Sequence, residues 1–346
     1  MQWSPLVDRE RLLAWMDQQK LERGPIVNAQ LLTGGTQNVL LRFRRGEREF
    51  VLRRPPLKPL MDGSQTMRRE ARLLAALAHT DVPHPRLIAA CASDEVIGSA
   101  FYLMEPIEGF LVKGDLPARH ASTPAMRRRM GFSVIDGITA LGRVDYVAVG
   151  LADFGKAEGY LERQIRRWRQ QLDHYAVNTG WPGIAGLPYV DEVERWLEAH
   201  RPARFTPGIL HGDYHLANVM FRHDAPELAA IVDWELATIG DPLIDLGWLL
   251  AIWPGEGAVS NPLAMEIRPW DGFPTADELI ARYAENSTRD LSAVSWYAVF
   301  ACYKLAIILE GTYARAYGGQ ATHEVGAELH GYARALFERA REWIEA

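Results

Sequence analysis

The run Ile209-Leu-His-Gly-Asp-Tyr-His-Leu-Ala-Asn218 places an amide, Asn218, five residues after a carboxylate, Asp213. Ile231-Val-Asp-Trp-Glu235 adds a second carboxylate, Asp233, twenty residues after the first. An apolar run leads into His211, Gly212 and Asp213. Asn218 is followed by Val219-Met-Phe221, a polar turn over His223 to Pro226, and a second apolar run that ends on Asp233. This pattern predicts a loop and then a hairpin, which returns Asp233 to the neighbourhood of Asp213 and Asn218. Two hard oxygen ligands, Asn218 and Asp233, beside a carboxylate left free at Asp213 suit Mg2+ held with the phosphates of a nucleotide. The same stretch allows another chemistry, in which His211, Asp213, His215 and Asp233 ligate Zn2+ or Mn2+ in a metallohydrolase.

Such a loop needs a scaffold. The chain has 346 residues, 48% hydrophobic and 24% charged, which exceeds one average domain and suffices for two lobes with a sizeable core. A net charge of −6 gives no basic bias toward nucleic acid, and the Arg127-Arg128-Arg129 and Arg166-Arg167 runs read as solvated helix faces. Cys91 and Cys302 lack disulfide or metal-ligand spacing and read as buried thiols. The first residues lack a signal-peptide apolar run, and charges interrupt the longest apolar stretches short of a membrane span. The expectation is a cytoplasmic protein with no nucleic-acid or membrane partner.

The first hundred residues read as a helix opened by Ser4-Pro5 and running to Lys20, then five antiparallel strands over 27–33, 39–44, 49–53, 87–92 and 100–104. A helix over 66–78 interrupts them, with Met67, Glu70, Ala71, Leu74 and Ala78 on one face. Helical patterns then dominate, over 123–142, 157–177, 191–200, 243–251, 275–286, 291–316 and 322 onward. Asp241 before Pro242 is placed to cap the helix at 243.

His211-Gly-Asp213-x-x-x-x-Asn218 followed by Asp233-Trp-Glu235 resembles the catalytic loop and metal-binding motif of the aminoglycoside phosphotransferase and choline kinase superfamily, cousins of the protein kinases. More narrowly, it is similar to the branch found alone or fused to acyl-CoA dehydrogenases. The resemblance runs from Val27 to the C-terminus. It implies an α+β, protein-kinase-like two-lobe fold. Residues 1–107 would form the N-lobe, with the first helix, the five-stranded sheet and one regulatory-type helix. Residues 108–346 would form a larger, mainly helical C-lobe, with the catalytic loop and metal-binding hairpin at 209–235.

The resemblance further implies a kinase that uses ATP and Mg2+ to phosphorylate a hydroxyl of a small molecule. Asp213 would accept or orient the hydroxyl proton, and Asn218 and Asp233 would hold the metal. The Gly34-Gly35-Thr36 turn would cover the phosphates, although it is not a G-x-G-x-x-G loop. Arg53, in Phe50-Val-Leu-Arg53, stands where kinases carry lysine; this departure keeps the charge and adds a bidentate donor. Glu70 would hold Arg53, and backbone groups of Glu105 and Ile107 would meet the adenine edge. His211 would pack under the loop, with Asp241 and Asp245 as its buttresses. Read by themselves, Gly34-Gly35 is an ordinary turn, Arg53 an exposed strand-end charge and Glu70 a solvated carboxylate among Arg68, Arg69 and Arg72. A non-catalytic nucleotide-binding module would keep the same fold.

In this family the region of 291–316 builds the acceptor pocket, which gives Trp296, Tyr303, Lys304 and Arg315, together with His215, as candidate substrate residues. An apolar wall with cations favours an apolar or anionic hydroxyl compound such as a hydroxyacyl group, whereas a polycationic aminoglycoside calls for an acidic wall. Aromatic faces could instead cage a choline-like ammonium, or simply fill the core of a helix bundle.

Overall fold

The computed structural model describes residues 6–32, 38–57, 62–254 and 267–346. Asp8 accepts from the Arg11 amide and starts α1 (Arg9–Gln18), so the helix begins later than the Ser4-Pro5 signal suggests; those two residues lie outside the described ones. There follow β1 (Val27–Leu31), β2 (Val39–Arg45), β3 (Arg48–Arg54), α2 (Gly63–Leu77), β4 (Leu87–Cys91) and β5 (Phe101–Met104). The five strands form one antiparallel sheet in the order β1-β2-β3-β5-β4. Helix α2 starts at Gly63 rather than Thr66 because Asp62 accepts from the Gln65 amide.

Both faces of the sheet are covered, which is why the centre of β3, Phe50-Val-Leu52, is apolar and buried on both sides. Phe50 and Leu52 face α1, packing with Leu12, Trp15 and Met16, while Val51 faces α2 with Met67, Leu74 and Tyr102. Strand alternation therefore sends Arg53 toward α2 and Arg54 toward α1. Arg54 donates there to the carbonyls of Leu6, Pro55 and Ile97.

After residues 105–109 the chain forms β6 (Phe110–Leu111), α3 (Ala118–Ala121), α4 (Pro124–Arg143), α5 (Tyr160–His174) and α6 (Val190–Ala199). Next come β7 (Gly208–Leu210), β8 (Val219–Phe221), β9 (Leu228–Ile231) and β10 (Thr238–Gly240), then α7 (Leu243–Ile252), α8 (Ala276–Asn286), α9 (Val294–Tyr317) and α10 (His323–Glu345). The sequence pattern anticipates β8 and β9 but not β6, β7 or β10. These are runs of two or three residues, too short to show a period; β6 pairs with β8, and β10 with β7. Helix α5 stops at His174 and continues as one 3-10 turn over Tyr175–Val177.

Helix α9 is long and apolar enough to cross a membrane by length and composition, contrary to the expectation that charges interrupt every such stretch. Most of it is buried against α5, α6, α7 and α10, so its all-round apolar character follows from being the central helix of the bundle. Cys91 and Cys302 are free, buried thiols.

Candidate active site

Arg53 is buried at the end of β3, pressed against Glu70 of α2, which is 1% exposed. Its Nη2 donates to Glu70 Oε1 at 3.1 Å, and Nε lies 2.9 Å from Glu70 Oε2 as an ion-pair contact without hydrogen-bond alignment. Tyr102 of β5 donates to that same Oε2 at 2.6 Å. Arg53 Nη2 also reaches Asp233 Oδ1 at 2.7 Å, tying the sheet to the hairpin of β8 and β9. Burial opposes charge on Arg53, but Tyr102, Glu70 and Asp233 outweigh it and hold its pKa above the ordinary value. Burial also raises the pKa of Glu70, against the pull of Arg53 and the Tyr102 hydrogen bond. Asp233 adopts the left-handed region at φ 65°, a conformation that aspartate tolerates better than most residues.

The loop between β7 and β8 is pinned from below. Asp245, in the first turn of α7, accepts from the backbone amides of His211 at 2.6 Å and Gly212 at 2.9 Å. Burial lifts its pKa to about 7 against those two donors. Gly212 has φ +86°, and a Cβ there would lie 2.6 Å from the Leu236 carbonyl oxygen, so the turn requires glycine. The His211 ring is fully buried, 4.8 Å from the Trp234 ring. Its Nδ1 accepts from the Asp213 amide at 3.3 Å and its Nε2 donates to the Val232 carbonyl at 2.9 Å. Burial lowers its pKa, which agrees with the neutral tautomer those bonds define.

Asn218 Nδ2 donates to the Asp213 carbonyl at 2.9 Å and to Asp213 Oδ2 at 3.0 Å, leaving Asn218 Oδ1 without a donor among the described residues. His215 Nδ1 accepts from the Ala217 amide, so its Nε2 bears the proton and faces Asp213 Oδ2 at 3.3 Å. Burial works to raise the pKa of Asp213, but His215, His211 and Lys304 overcome it and bring the group to about 2.

A cavity of about 640 Å³ opens beside Asp213 and His215. Its apolar lining comes from Leu210, Ile244, Trp248 and Ile252, and from Phe300, Leu305 and Ile308 of α9. Lys156, Arg163, Arg167 and Lys304 supply positive charge against the two carboxylates Asp213 and Glu235.

A phosphotransferase enzyme family model matches residues 28–285. The chain belongs to the phosphotransferase enzyme family. Mouse acyl-CoA dehydrogenase family member 10 is 31% identical over 294 residues, which cover 83% of this chain and 26% of that protein. The chain thus spans about a quarter of that relative's length. A solved Ralstonia eutropha protein, provisionally assigned as an aminoglycoside phosphotransferase, has 30% identity and a TM-score of 0.79, over 97% of this chain and 99% of that one. Choline kinase from Cryptosporidium parvum shares the fold at a TM-score of 0.62 and 12% identity, over 98% and 96% of the two chains. These likenesses agree with the α+β, protein-kinase-like two-lobe architecture.

Within this family fold, the structure brings Arg53, Glu70, Asp233, Asn218, Asp213, His211, His215, Asp245 and Lys304 into one connected region. Gly34, Gly35 and Thr36 lie outside the described residues. The Glu105 amide is already spent on the Arg86 carbonyl, and residue 106 is proline, so the groups left at this segment are the Glu105 carbonyl and the Ile107 amide. Asp241 accepts from the Leu243 amide at 3.1 Å and from Tyr297 Oη at 2.5 Å. It anchors the start of α7, whose capping position is Pro242, and makes no bond to the 211–218 loop.

Three candidates fall outside the cavity. Trp296 stacks on Phe300 and donates to the Leu197 carbonyl, one helical turn beyond the lined stretch of α9. Tyr303 points to α10, packing on Phe337. Arg315 is exposed and donates to Thr312. The aromatic residues of α9 are therefore largely bundle core, and the stripe facing the cavity is Phe300, Lys304 and Ile308.

Sequence reasoning missed Lys156, Arg163, Arg167, Trp168 and Trp248 as cavity residues; Arg167 was visible only as part of a solvated helix face. It also left Glu235 without a role, yet Glu235, Glu70 and Asp233 can bring carboxylate oxygens within 4.8 Å of one another, and Glu235 accepts from Asn38 at 3.3 Å. The histidine-rich metallohydrolase set is not formed, because hydrogen bonds occupy both ring nitrogens of His211. Mg2+ fits the site better: Asn218 Oδ1 and the carboxylate of Asp233 are hard oxygen donors, and no thiolate or free imidazole competes with them.

Proposed function

We propose that this chain transfers the γ-phosphate of ATP to a hydroxyl of a small, partly apolar, anionic molecule, a hydroxyacyl compound. The observation that carries this reading is Asp213. Its carboxylate is fixed by Asn218 and His215, stays ionised at neutral pH and lies in the wall of the cavity. A carboxylate with so low a pKa holds the acceptor O–H as a hydrogen-bond acceptor and aims its oxygen, and the proton moves only as the new bond to phosphorus forms. Asn218 and Asp233 would hold Mg2+, whose chemistry is to neutralise charge on the nucleotide phosphates. Arg53, oriented by Glu70, meets the phosphates with the donors its protein partners leave free. By the family resemblance the Gly34-Gly35-Thr36 turn would cover them, and the Glu105 carbonyl and Ile107 amide would hold the base. We place the division between lobes at residues 107 and 108, and the protein in the cytoplasm.

The acceptor class follows from charge. Four cations and an apolar lining oppose a polycationic aminoglycoside. A choline-like ammonium would compete with the chain's own Lys304, whose Nζ already sits 4.3 Å from the Trp248 ring centroid and 5.6 Å from that of Trp168. ATP–Mg2+ turnover with hydroxyacyl compounds, choline-like amines and aminoglycosides tests the reading. The expected result is phosphorylation confined to the hydroxyacyl class and abolished by Asp213→Ala. Turnover that survives this substitution, or none with any acceptor, refutes it.

A further inference from the structure

Lys304 is a charge that nothing above explains. It projects from the middle of the long apolar helix α9 into the cavity wall. Among the described residues it has no ion-pair partner; its one hydrogen bond runs from Nζ to the Gly212 carbonyl at 3.2 Å. An ammonium carries three donors, so two are left over. The faces of Trp248 and Trp168 border the ammonium, and they stabilise its charge without consuming a donor. Gly212 precedes Asp213, so the spare donors sit one residue from the carboxylate that faces the acceptor hydroxyl. A lysine kept for packing alone would be replaced by leucine or methionine at lower desolvation cost. The position therefore calls for an oxygen that none of the described residues supplies.

We propose that Lys304 is a specificity-determining residue that binds a carboxylate or acyl carbonyl oxygen of the acceptor, a few bonds from the hydroxyl to be phosphorylated. This rests on the acceptor-cavity reading above and adds a residue that chooses among hydroxyl compounds. The surroundings agree. Asp213 and Asp245 face the ammonium with negative charge and Arg167 with positive, while burial dominates and lowers its pKa to about 8. The ammonium is charged below that value and neutral above it, so recognition of an anion fades as pH rises through about 8. Arginine at the same position stays charged throughout.

The test uses β-hydroxyoctanoate and the diol formed by reducing its carboxylate, titrated calorimetrically into the full chain with a non-hydrolysable ATP analogue and Mg2+. Wild type is expected to bind the acid at least about tenfold more tightly than the diol, the yield of one charge-assisted hydrogen bond. Lys304→Met should remove that preference by weakening the acid alone. Lys304→Arg should restore part of it and abolish its loss above pH 8. Equal weakening of both ligands by Lys304→Met, no change in either, or failure of wild type to prefer the acid overturns the proposal. Phosphorylation of the same two compounds is measured separately. Acid-selective binding without phosphate transfer would refute the kinase reading and leave the role of Lys304 standing.

Discussion

Replacing Tyr102 by Phe removes one oxygen and nothing else, and among the described residues that oxygen is the only hydroxyl donating to the Glu70 carboxylate. Both residues are essentially buried, at 2% and 1% exposure, so water cannot substitute for the lost donor. What remains on Glu70 Oε2 is Arg53 Nε, at 2.9 Å but poorly aligned. A hydrogen bond to a charged group contributes about 1.5–3 kcal/mol, and the upper half of that range applies where the acceptor is sealed from solvent. Tyr102→Phe should therefore lower the unfolding free energy by about 2–3 kcal/mol in urea denaturation. It should also raise the KM for ATP, because Glu70 would no longer be held square to Arg53. A double-mutant cycle with Glu70→Gln separates this bond from general packing, with a coupling of at least about 1 kcal/mol expected. A stability within about 0.5 kcal/mol of wild type, with unchanged ATP kinetics, would show that Tyr102 is a bystander.

Asp213→Asn should cut phosphate transfer by about 10²–10⁴-fold while leaving nucleotide affinity close to wild type; parallel losses in both would place Asp213 in nucleotide binding instead. Because the pKa of Asp213 is lowered to about 2, its ionisation should impose no loss of rate as pH falls from 8 to 5; an acid limb in wild type that disappears in Asp213→Asn would contradict this. Gly212→Ala forces a Cβ into the Leu236 carbonyl at positive φ and should cost about 1–3 kcal/mol along with most activity, read by thermal melting and turnover. Asp245→Ala strips two buried amides of their acceptor and should lower the transfer rate with little change in the KM for ATP; full activity would remove Asp245 from loop positioning. Chelation of divalent metal should abolish transfer, and Mg2+ should restore it, whereas recovery with Zn2+ alone would favour a different chemistry.

Local sequence was enough for the elements whose period or caps are strong. Strand alternation around Arg53 settles which face it takes, and the spacing of Asp213, Asn218 and Asp233 settles that a loop and a hairpin carry them. Side-chain signals within one segment likewise place Asp233 at the end of β9, whereas the need for glycine at 212 comes from the Leu236 carbonyl that the fold brings against it. Other features had no local signal. The strands β6, β7 and β10 exist because distant partners pair with them. On α9, the sequence reading pointed to Trp296, Tyr303, Lys304 and Arg315; packing against α7 and α10 turned Lys304 to the cavity together with Phe300 and Ile308, and left the other three candidates outside it.

The chain's own order of residues thus specifies the reactive loop with its amide and carboxylate, and the hairpin that carries the second carboxylate, because the turn and strand signals that define them lie within a few positions of each. The bond from Tyr102 to Glu70, the reach of Arg53 to Asp233, and the meeting of Lys304 with Gly212 join residues between 32 and 180 positions apart. Such contacts depend on how helices and sheet pack in three dimensions, and no periodicity along a single segment encodes that.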